Sequence, residues 1–170
     1  DKYKTLYNSL KNAYGTTFDI IFFAYDFRKT NSNAATLLAT RLRNYNEVVL
    51  IGHSMGGLVA GKFLANSAVN RNKTAAYIAI GTPFVGSAKS INVMETGEII
   101  AAPDIVNSVL HFKETMRDMS RNCYAAYQLM PMSKYYTITG IHPITVNNVN
   151  YLDPLTKLKD APWGKKSNGT

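Results

Sequence analysis

The stretch Val48–Leu64, "VVLIGHSMGGLVAGKFL", decides the fold of this chain. Its first four residues are all apolar, which is typical of a strand buried on both faces of a parallel sheet. Gly52 to Gly56 then follow the pattern G-x-S-x-G, and the apolar spacing after them indicates a helix. In a strand–turn–helix of this kind the serine lies on a strained turn, the nucleophile elbow, with its hydroxyl above the sheet. The sequence therefore predicts a nucleophilic serine at Ser54.

The residues around Ser54 supply other parts that such chemistry requires. We expect glycine at positions 52 and 56 because a Cβ atom there would clash with the neighbouring strand and helix. The first N–H groups of the helix carry partial positive charge, which suits a developing oxyanion, and the N–H of Met55 is a candidate donor. The alternative is a glycine-rich turn with an incidental serine. The strand before the turn and the helix after it favour the elbow.

Composition and charge restrict the remaining classes of function. The chain has 170 residues, of which 46% are hydrophobic, and this fits one globular domain over residues 1–170. Its net charge is +8, but the basic residues are scattered and no nucleic-acid motif is present. We therefore expect a solvated basic surface and no nucleic-acid partner. A weaker alternative is transient attraction to anionic lipid headgroups at a membrane surface. The oligomeric state is not defined.

Cysteines, histidines and apolar runs add further expectations. The single cysteine, Cys123, is expected to be a small buried apolar side chain and not a nucleophile. No Cys/His cluster has the spacing of a metal site, so we expect no metal and no cofactor. No apolar run reaches the length of a membrane span and no signal peptide is visible, which favours a soluble chain in an undefined compartment.

Helix and strand patterns alternate along the chain, which is typical of a parallel α/β sheet with flanking helices. We expect this sheet to be ordered around the strand that ends at Ile51 and to have at least one open edge. Helices are predicted over 3–14, ending near Gly15, and over about 33–45, capped by Asn31 or Ser32; further strands are predicted over 18–25, 76–80 and 135–139.

Residues 81–134 are too long for a plain crossover between two strands. Apolar side chains from Ile105 to Met116 have helical spacing, which predicts at least one amphipathic helix there. An insertion over the carboxyl edge of a parallel sheet is where a lid or substrate-binding cap lies. We therefore expect 81–134 to form a lid within the domain.

Four stretches carry a resemblance to a known family: Tyr25–Arg28 ("YDFR"), Gly52–Gly57 ("GHSMGG"), Gly81–Ser87 ("GTPFVGS") and Leu129–Pro131 ("LMP"). In this order they resemble the motifs of the lecithin:cholesterol acyltransferase-like branch of the α/β-hydrolase superfamily, with Phe27 where tryptophan is usual. G-x-S-x-G alone is shared by all α/β hydrolases, and the ordered set is more specific. The resemblance implies an α/β-hydrolase fold with a central parallel sheet, flanking helices and a lid.

The same resemblance implies roles for individual residues. Ser54 is the implied nucleophile and the N–H of Met55 an implied oxyanion donor. Asp26 and Arg28 lie near the active-site rim or hold the loop below the lid; a purely structural ion pair is an equal alternative.

Thr82 and Pro83 belong to the "GTPFVGS" stretch that follows the next predicted strand. The resemblance implies that these two residues shape the floor of the acyl pocket.

The partners of the serine do not assemble in the expected order. A serine nucleophile needs a histidine base and an acid, and in this fold the chain order is serine, acid, histidine. His53 is inside the elbow and His111 in the lid insertion, which leaves His142 as a candidate base. Asp153, like Asp160, is late enough to be the acid, but no histidine follows it. We therefore expect the chain to be the central part of a longer protein, with the fold incomplete at both ends.

The leading hypothesis is a serine acyl hydrolase or acyltransferase that acts on lipid-like or small esters through an acyl-enzyme on Ser54. The choice between water and an alcohol as acyl acceptor depends on whether the lid excludes water. The alternative is a catalytically inactive module that uses the same fold to bind a lipid or a partner. A peptidase or thioesterase with the same nucleophile is a third hypothesis.

Overall fold

The computed structural model describes residues 3–98, 110–139, 145–146 and 149–150. Within this part of the chain, no helix is long and apolar enough to cross a bilayer. The elements in chain order are α1 (Lys4–Tyr14), α2 (Asn31–Arg41), β1 (Val48–His53), α3 (Met55–Asn66), α4 (Ala68–Asn72), β2 (Thr74–Ile80), α5 (Ala88–Thr96), α6 (Leu110–Arg121), α7 (Tyr124–Gln128), α8 (Ser133–Thr139), β3 (Thr145–Val146) and β4 (Val149–Asn150).

β1 and β2 form the parallel pair that the alternation predicts, with α3 in the connection between them. Gly52 lies opposite Ala79, and His53 lies opposite Ile80. The ladder continues past the end of β1, because the N–H of Ser54 donates to the carbonyl of Ile80 over 2.8 Å. Among the described strands, β1 and β2 pair only with each other, so each has one unpaired edge there. Both strands end beside the serine, at the edge where parallel α/β sheets bind ligands.

The main core lies on one face of this sheet, under α2 and α3, and Phe63 is fully buried in it. β1 alternates, with Leu50 buried while Val49 and Ile51 are 49% and 43% exposed. The prediction that this strand is buried on both faces is therefore wrong for the described residues, because α2 and α3 cover the same face. The buried members of the core are Ala34, Ala35, Leu38, Leu42, Leu50, Val59, Ala60 and Phe63.

The segment 18–25, predicted as a buried strand, is irregular in the structure. It keeps the alternation of a strand: Ile21, Phe23 and Tyr25 pack against the main core, and Phe22 between them is exposed. None of the described strands pairs with it, and without a neighbouring ladder an alternating segment is not a strand. The prediction of a strand here is wrong, although the inward-facing side chains are those the pattern indicates.

The prediction that residues 135–139 form the next strand is also wrong, since these residues lie within α8. Its β-branched and aromatic residues favour a strand only where a pleated surface is available beside them. None of the described strands pairs with this segment. The helix instead begins directly after Met132, whose carbonyl accepts a hydrogen bond from the N–H of Tyr135 over 2.8 Å.

The first two helices are predicted with different accuracy. α1 spans Lys4–Tyr14 and is followed by Gly15 at its C-cap, as predicted, although none of its residues is buried. α2 begins earlier than predicted and ends at Arg41 instead of near residue 45. Its cap is Thr30, whose hydroxyl accepts the N–H of Asn33 over 3.2 Å, so the predicted caps at positions 31 and 32 are wrong.

Residues 81–134 contain α5, α6 and α7, and a smaller core is formed by Ile91 and Met94 of α5 with Met130, which follows α7. The guanidinium Nε of Arg121 donates to the carbonyl of Met94 over 2.7 Å and ties α6 to α5. α6 contains the C-terminal part of the predicted amphipathic helix, and residues 105–109 of that prediction lie outside the described residues. The assignment of 81–134 as a lid remains a prediction.

Candidate active site

Ser54 is the single residue between β1 and α3, and its backbone is strained. Its φ is 53° and its ψ is −125°, and among the described residues it is the only non-glycine with positive φ. Such a conformation costs on the order of 1–3 kcal/mol and persists only where the surrounding structure enforces it. The structure thus shows the strained strand-to-helix turn that the sequence predicts at this position.

Glycine is sterically required at two positions around this turn, 52 and 57, whereas the prediction named positions 52 and 56. A Cβ on Gly52 would lie 2.7 Å from the backbone of Gly57, so strand and helix touch there. A Cβ on Gly56 would meet nothing within 4 Å, so the predicted clash at that position is wrong. The close approach is instead at Gly57, where a Cβ would overlap the hydroxyl of Thr82. In the sequence, the signal for Gly57 is that it is the second glycine of the pair Gly56–Gly57, which comes after Ser54 and Met55.

The first turn of α3 is supported by Tyr77, which lies in β2, and by Thr82, which follows that strand. The phenol of Tyr77 donates to the carbonyl of Gly57 over 2.6 Å, and burial raises the pKa of this phenol. The hydroxyl of Thr82 is buried beside Gly57 without a hydrogen bond of good geometry within the described residues. Sequence reasoning missed Tyr77, because a tyrosine in the middle of a strand gives no local signal of its contact with a helix.

The N-terminus of α3 is not capped by the side chain that precedes it. Ser54 occupies the N-cap, yet its side chain makes no capping hydrogen bond. The first N–H groups of an α-helix have no intrahelical acceptor, and Met55 is the first residue of α3. Met55 is therefore placed where the sequence expects an oxyanion donor, at the positive end of the helix dipole.

Asp26 and Arg28 form a bidentate ion pair. Arg28 Nε lies 2.8 Å from Asp26 Oδ1, and a terminal guanidinium nitrogen of Arg28 lies 2.9 Å from Asp26 Oδ2. The hydrogen bonds from Arg28 lower the pKa of Asp26 to about 2. The side chain of Arg28 is 65% exposed, so the pair lies at the surface. The ion pair named as one alternative is thus present, and its place at the rim of a site remains a prediction.

The other motif stretches are joined by backbone hydrogen bonds. The N–H of Ser87 donates to the carbonyl of Leu129 over 2.7 Å, and the N–H of Met132 donates to the carbonyl of Val85 over 3.0 Å. Gly86 has a φ of 91°, and a Cβ there would overlap the carbonyl of Met130. "GTPFVGS" and "LMP" are therefore packed directly against each other.

Residues 123–128 connect this unit to the "YDFR" segment. The thiol of Cys123 lies 3.5 Å from the carbonyl of Arg28, and the side-chain oxygen of Gln128 accepts the N–H of Asn31 over 2.7 Å. Cys123 is 7% exposed, which confirms that it is buried. All four motif stretches thus lie in one connected set of contacts, with Thr82 against the elbow helix.

The candidate base and acid remain predictions. His142 and Asp153 lie outside the described residues. A hydrogen bond of 2.9 Å joins Nδ1 of His53 to the hydroxyl of Tyr3. His111 belongs to α6. Within the described residues, no three His, Cys, Asp or Glu side chains are grouped as a metal site would require.

Comparison with known proteins identifies the family. The model of the family described as "Lecithin:cholesterol acyltransferase" matches residues 2–154, which is most of the chain. Neither the curated proteins nor the solved structures contain a match. Members of this family are lipid acyltransferases and hydrolases with the α/β-hydrolase fold, and the parallel pair β1–β2 with its helices is consistent with that fold. The chain therefore belongs to the lecithin:cholesterol acyltransferase family.

Proposed function

We propose that Ser54 is the nucleophile of a serine acyl hydrolase or acyltransferase acting on lipid-like esters. The observation that carries the proposal is the backbone of this serine, with φ of 53° in a turn between a parallel strand and a helix. A strained residue of this kind at a helix N-terminus is a device for presenting a reactive side chain. Family membership supports the lipid-like substrate.

The chemistry follows from this placement. The hydroxyl oxygen of Ser54 attacks the ester carbonyl and gives up its proton to a base, and the carbonyl oxygen becomes an oxyanion. The N–H of Met55, at the start of α3, stabilises that oxyanion, because it is already aimed at the position where the negative charge develops. Loss of the alcohol leaves an ester on Ser54. Water or a second alcohol then attacks this ester, which restores the serine. His142 and Asp153 remain the candidates for base and acid.

The remaining motif residues are proposed to shape the substrate site. Residues 81–134 would form a cap above the carboxyl edge of β1 and β2, with Thr82 and Pro83 at its base. The ion pair of Asp26 and Arg28 would lie at its rim. Support comes from the contacts that join these stretches, including the thiol of Cys123 beside the carbonyl of Arg28. A small core that contains two methionines suits a cap, since methionine adapts to irregular apolar ligands.

The test is covalent labelling of the full-length protein with a fluorophosphonate probe, followed by identification of the labelled residue. We expect label on Ser54 and loss of both labelling and ester turnover in Ser54→Ala. Removal of a triad nucleophile costs about a million-fold in turnover, so the result will be clear. Ser9→Ala is the matched control, because Ser9 is exposed on α1. We expect it to behave as the parent protein.

Other outcomes would separate the alternatives. Label on a different serine would show that the elbow is structural. Absence of label together with retained binding of lipid vesicles would favour an inactive binding module. Turnover of amide or thioester substrates at rates above those of matched long-chain esters would favour a peptidase or thioesterase.

A further inference from the structure

We propose that Tyr77 is a positioning residue for the elbow: it fixes the first turn of α3 and thereby the place of the Met55 N–H relative to the Ser54 hydroxyl. The inference rests on the proposed function, since it concerns the step in which Ser54 is acylated. Nothing in the G-x-S-x-G pattern points to Tyr77, because it lies on β2, more than twenty residues after the serine.

Gly57 is the residue through which Tyr77 acts. Its N–H donates to the carbonyl of Ser54 over 3.0 Å, which closes the turn at the serine. Its backbone also touches Gly52 at the end of β1, so a shift of Gly57 moves both sides of the elbow. Gly57 is buried. Any group that holds Gly57 therefore holds the serine backbone.

Tyr77 reaches Gly57 across the space between β2 and α3. Its phenol donates to the Gly57 carbonyl over 2.6 Å, a short hydrogen bond. One turn further along the helix, a Cβ on Gly61 would lie 4.0 Å from the same phenol oxygen. Because burial raises its pKa, the phenol remains a protonated donor throughout the neutral range in which ester hydrolysis is measured.

Thr82, two residues after the end of β2, also contacts Gly57. Its hydroxyl and methyl carbon fill the space that a Cβ on Gly57 would occupy. The first turn of α3 is thus held by a hydrogen bond from Tyr77 and by steric contact with Thr82. The hydrogen bond from the Ser54 N–H to the carbonyl of Ile80, the last residue of β2, is a third attachment. β2, and not only β1, therefore sets the direction in which α3 leaves the serine.

This arrangement has a consequence for rate and not for affinity. A misplacement of about 1 Å in a reacting group can cost about a hundred-fold in rate. The Tyr77 hydrogen bond restrains the helix end that supplies the oxyanion donor, and the oxyanion exists only after attack. Loss of the phenol hydroxyl should therefore lower kcat and leave KM unchanged.

The experiment compares Tyr77→Phe with Tyr45→Phe in the full-length protein. Tyr45 is the matched control, because it packs against the same core and donates one hydrogen bond, to Asp19 Oδ2 over 2.9 Å, away from the elbow. We expect Tyr77→Phe to lower kcat and the fluorophosphonate labelling rate about ten-fold with KM unchanged. Tyr45→Phe should leave all three at the parent values. Rates are expressed per serine labelled at saturation, so poorly folded protein does not count.

Amide hydrogen exchange gives a second readout. We expect faster exchange in peptides covering residues 54–61 of Tyr77→Phe and no change there in Tyr45→Phe. A parent-like kcat in Tyr77→Phe, or equal losses in the two variants, would overturn the inference. Ser54→Ala is measured in parallel. If it abolishes turnover while Tyr77→Phe is neutral, only the positioning role fails; if it retains turnover, the proposed nucleophile fails.

Discussion

The elbow unit, β1–α3–β2 with Thr82, and the segment of α5, α6 and α7 are held together by different forces. The elbow unit relies on a parallel backbone ladder, glycine contacts and the apolar core around Phe63. The second segment relies on a small core with two methionines, on backbone hydrogen bonds at its two ends, such as Ser87 N–H to the Leu129 carbonyl, and on partly exposed ion pairs such as Lys113 with Glu98, 2.7 Å apart. The regions therefore differ in the parallel ladder and the larger core of the elbow unit, which fix positions closely, whereas methionines and surface ion pairs tolerate rearrangement.

This difference matches the roles that we propose for the two regions. A nucleophile and its oxyanion donor must be held to within a fraction of an ångström. A cap that receives acyl chains must adapt to them. The contrast therefore predicts that perturbing the elbow unit changes rate and global stability, and that perturbing the second segment changes local stability.

The sharpest test of the contrast removes one fully buried side chain from each core. Phe63→Ala should lower the free energy of unfolding by about 4 kcal/mol, because a large cavity opens in a core with little freedom to collapse. Met94→Ala should lower it by about 2 kcal/mol, because neighbouring flexible side chains can shift. Urea unfolding measures both values.

Limited proteolysis locates the damage. In Met94→Ala we expect new cleavage within residues 84–134 while Ser54 remains labelled by the fluorophosphonate. Cleavage in the elbow unit of this variant, or a larger loss of stability than in Phe63→Ala, would show that the two regions do not differ in the way described.

A smaller effect is expected from adding a methyl group at the elbow. Gly57→Ala places a Cβ against Thr82 and should lower kcat about a hundred-fold and stability by about 1–3 kcal/mol. Gly56→Ala is the matched control, since a Cβ there meets nothing within 4 Å and leaves activity near the parent level. Steady-state kinetics measure the change.

A second substitution tests the cause of that loss. Thr82→Gly removes the atoms that the new methyl group would meet, so Gly57→Ala with Thr82→Gly should recover part of the lost kcat. An additive loss in the double variant would contradict the steric contact between these two residues.

The smallest effect concerns the exposed ion pair. The pKa of Asp26 is about 2, below the ordinary value of about 3.9, so the folded state favours the ionised form. Its contribution to stability is present above about pH 4 and is lost as the pH falls towards 2. The urea midpoint of the parent should exceed that of Asp26→Asn slightly at pH 6, and the difference should shrink below pH 4 and vanish below pH 2. Asp118→Asn, whose side chain is 68% exposed and lies 3.7 Å from Arg117, is the control. An equal pH dependence in both variants would contradict the assignment.

The sequence by itself determined the elbow, because the elbow depends on local sterics. An apolar run, a serine between glycines and a helical pattern are read within seventeen residues, and β1, Ser54 and α3 lie where these features predict. β2 and α1 were also predictable from their own periodicity. The ordered motifs indicated the family without any structural contact.

Tertiary structure decided what depends on partners distant in the chain. The apolar segments 18–25 and 135–139 have strand-like sequences, but a strand exists only beside another strand, and no described strand pairs with either segment. Which glycine is sterically required, Gly57 and not Gly56, depended on the approach of Thr82, twenty-five residues away in the chain. The hydrogen bond from Tyr77 arises in the same way. The pattern around Ser54 specifies a turn, and the packing of β2 against α3 specifies how firmly that turn is held.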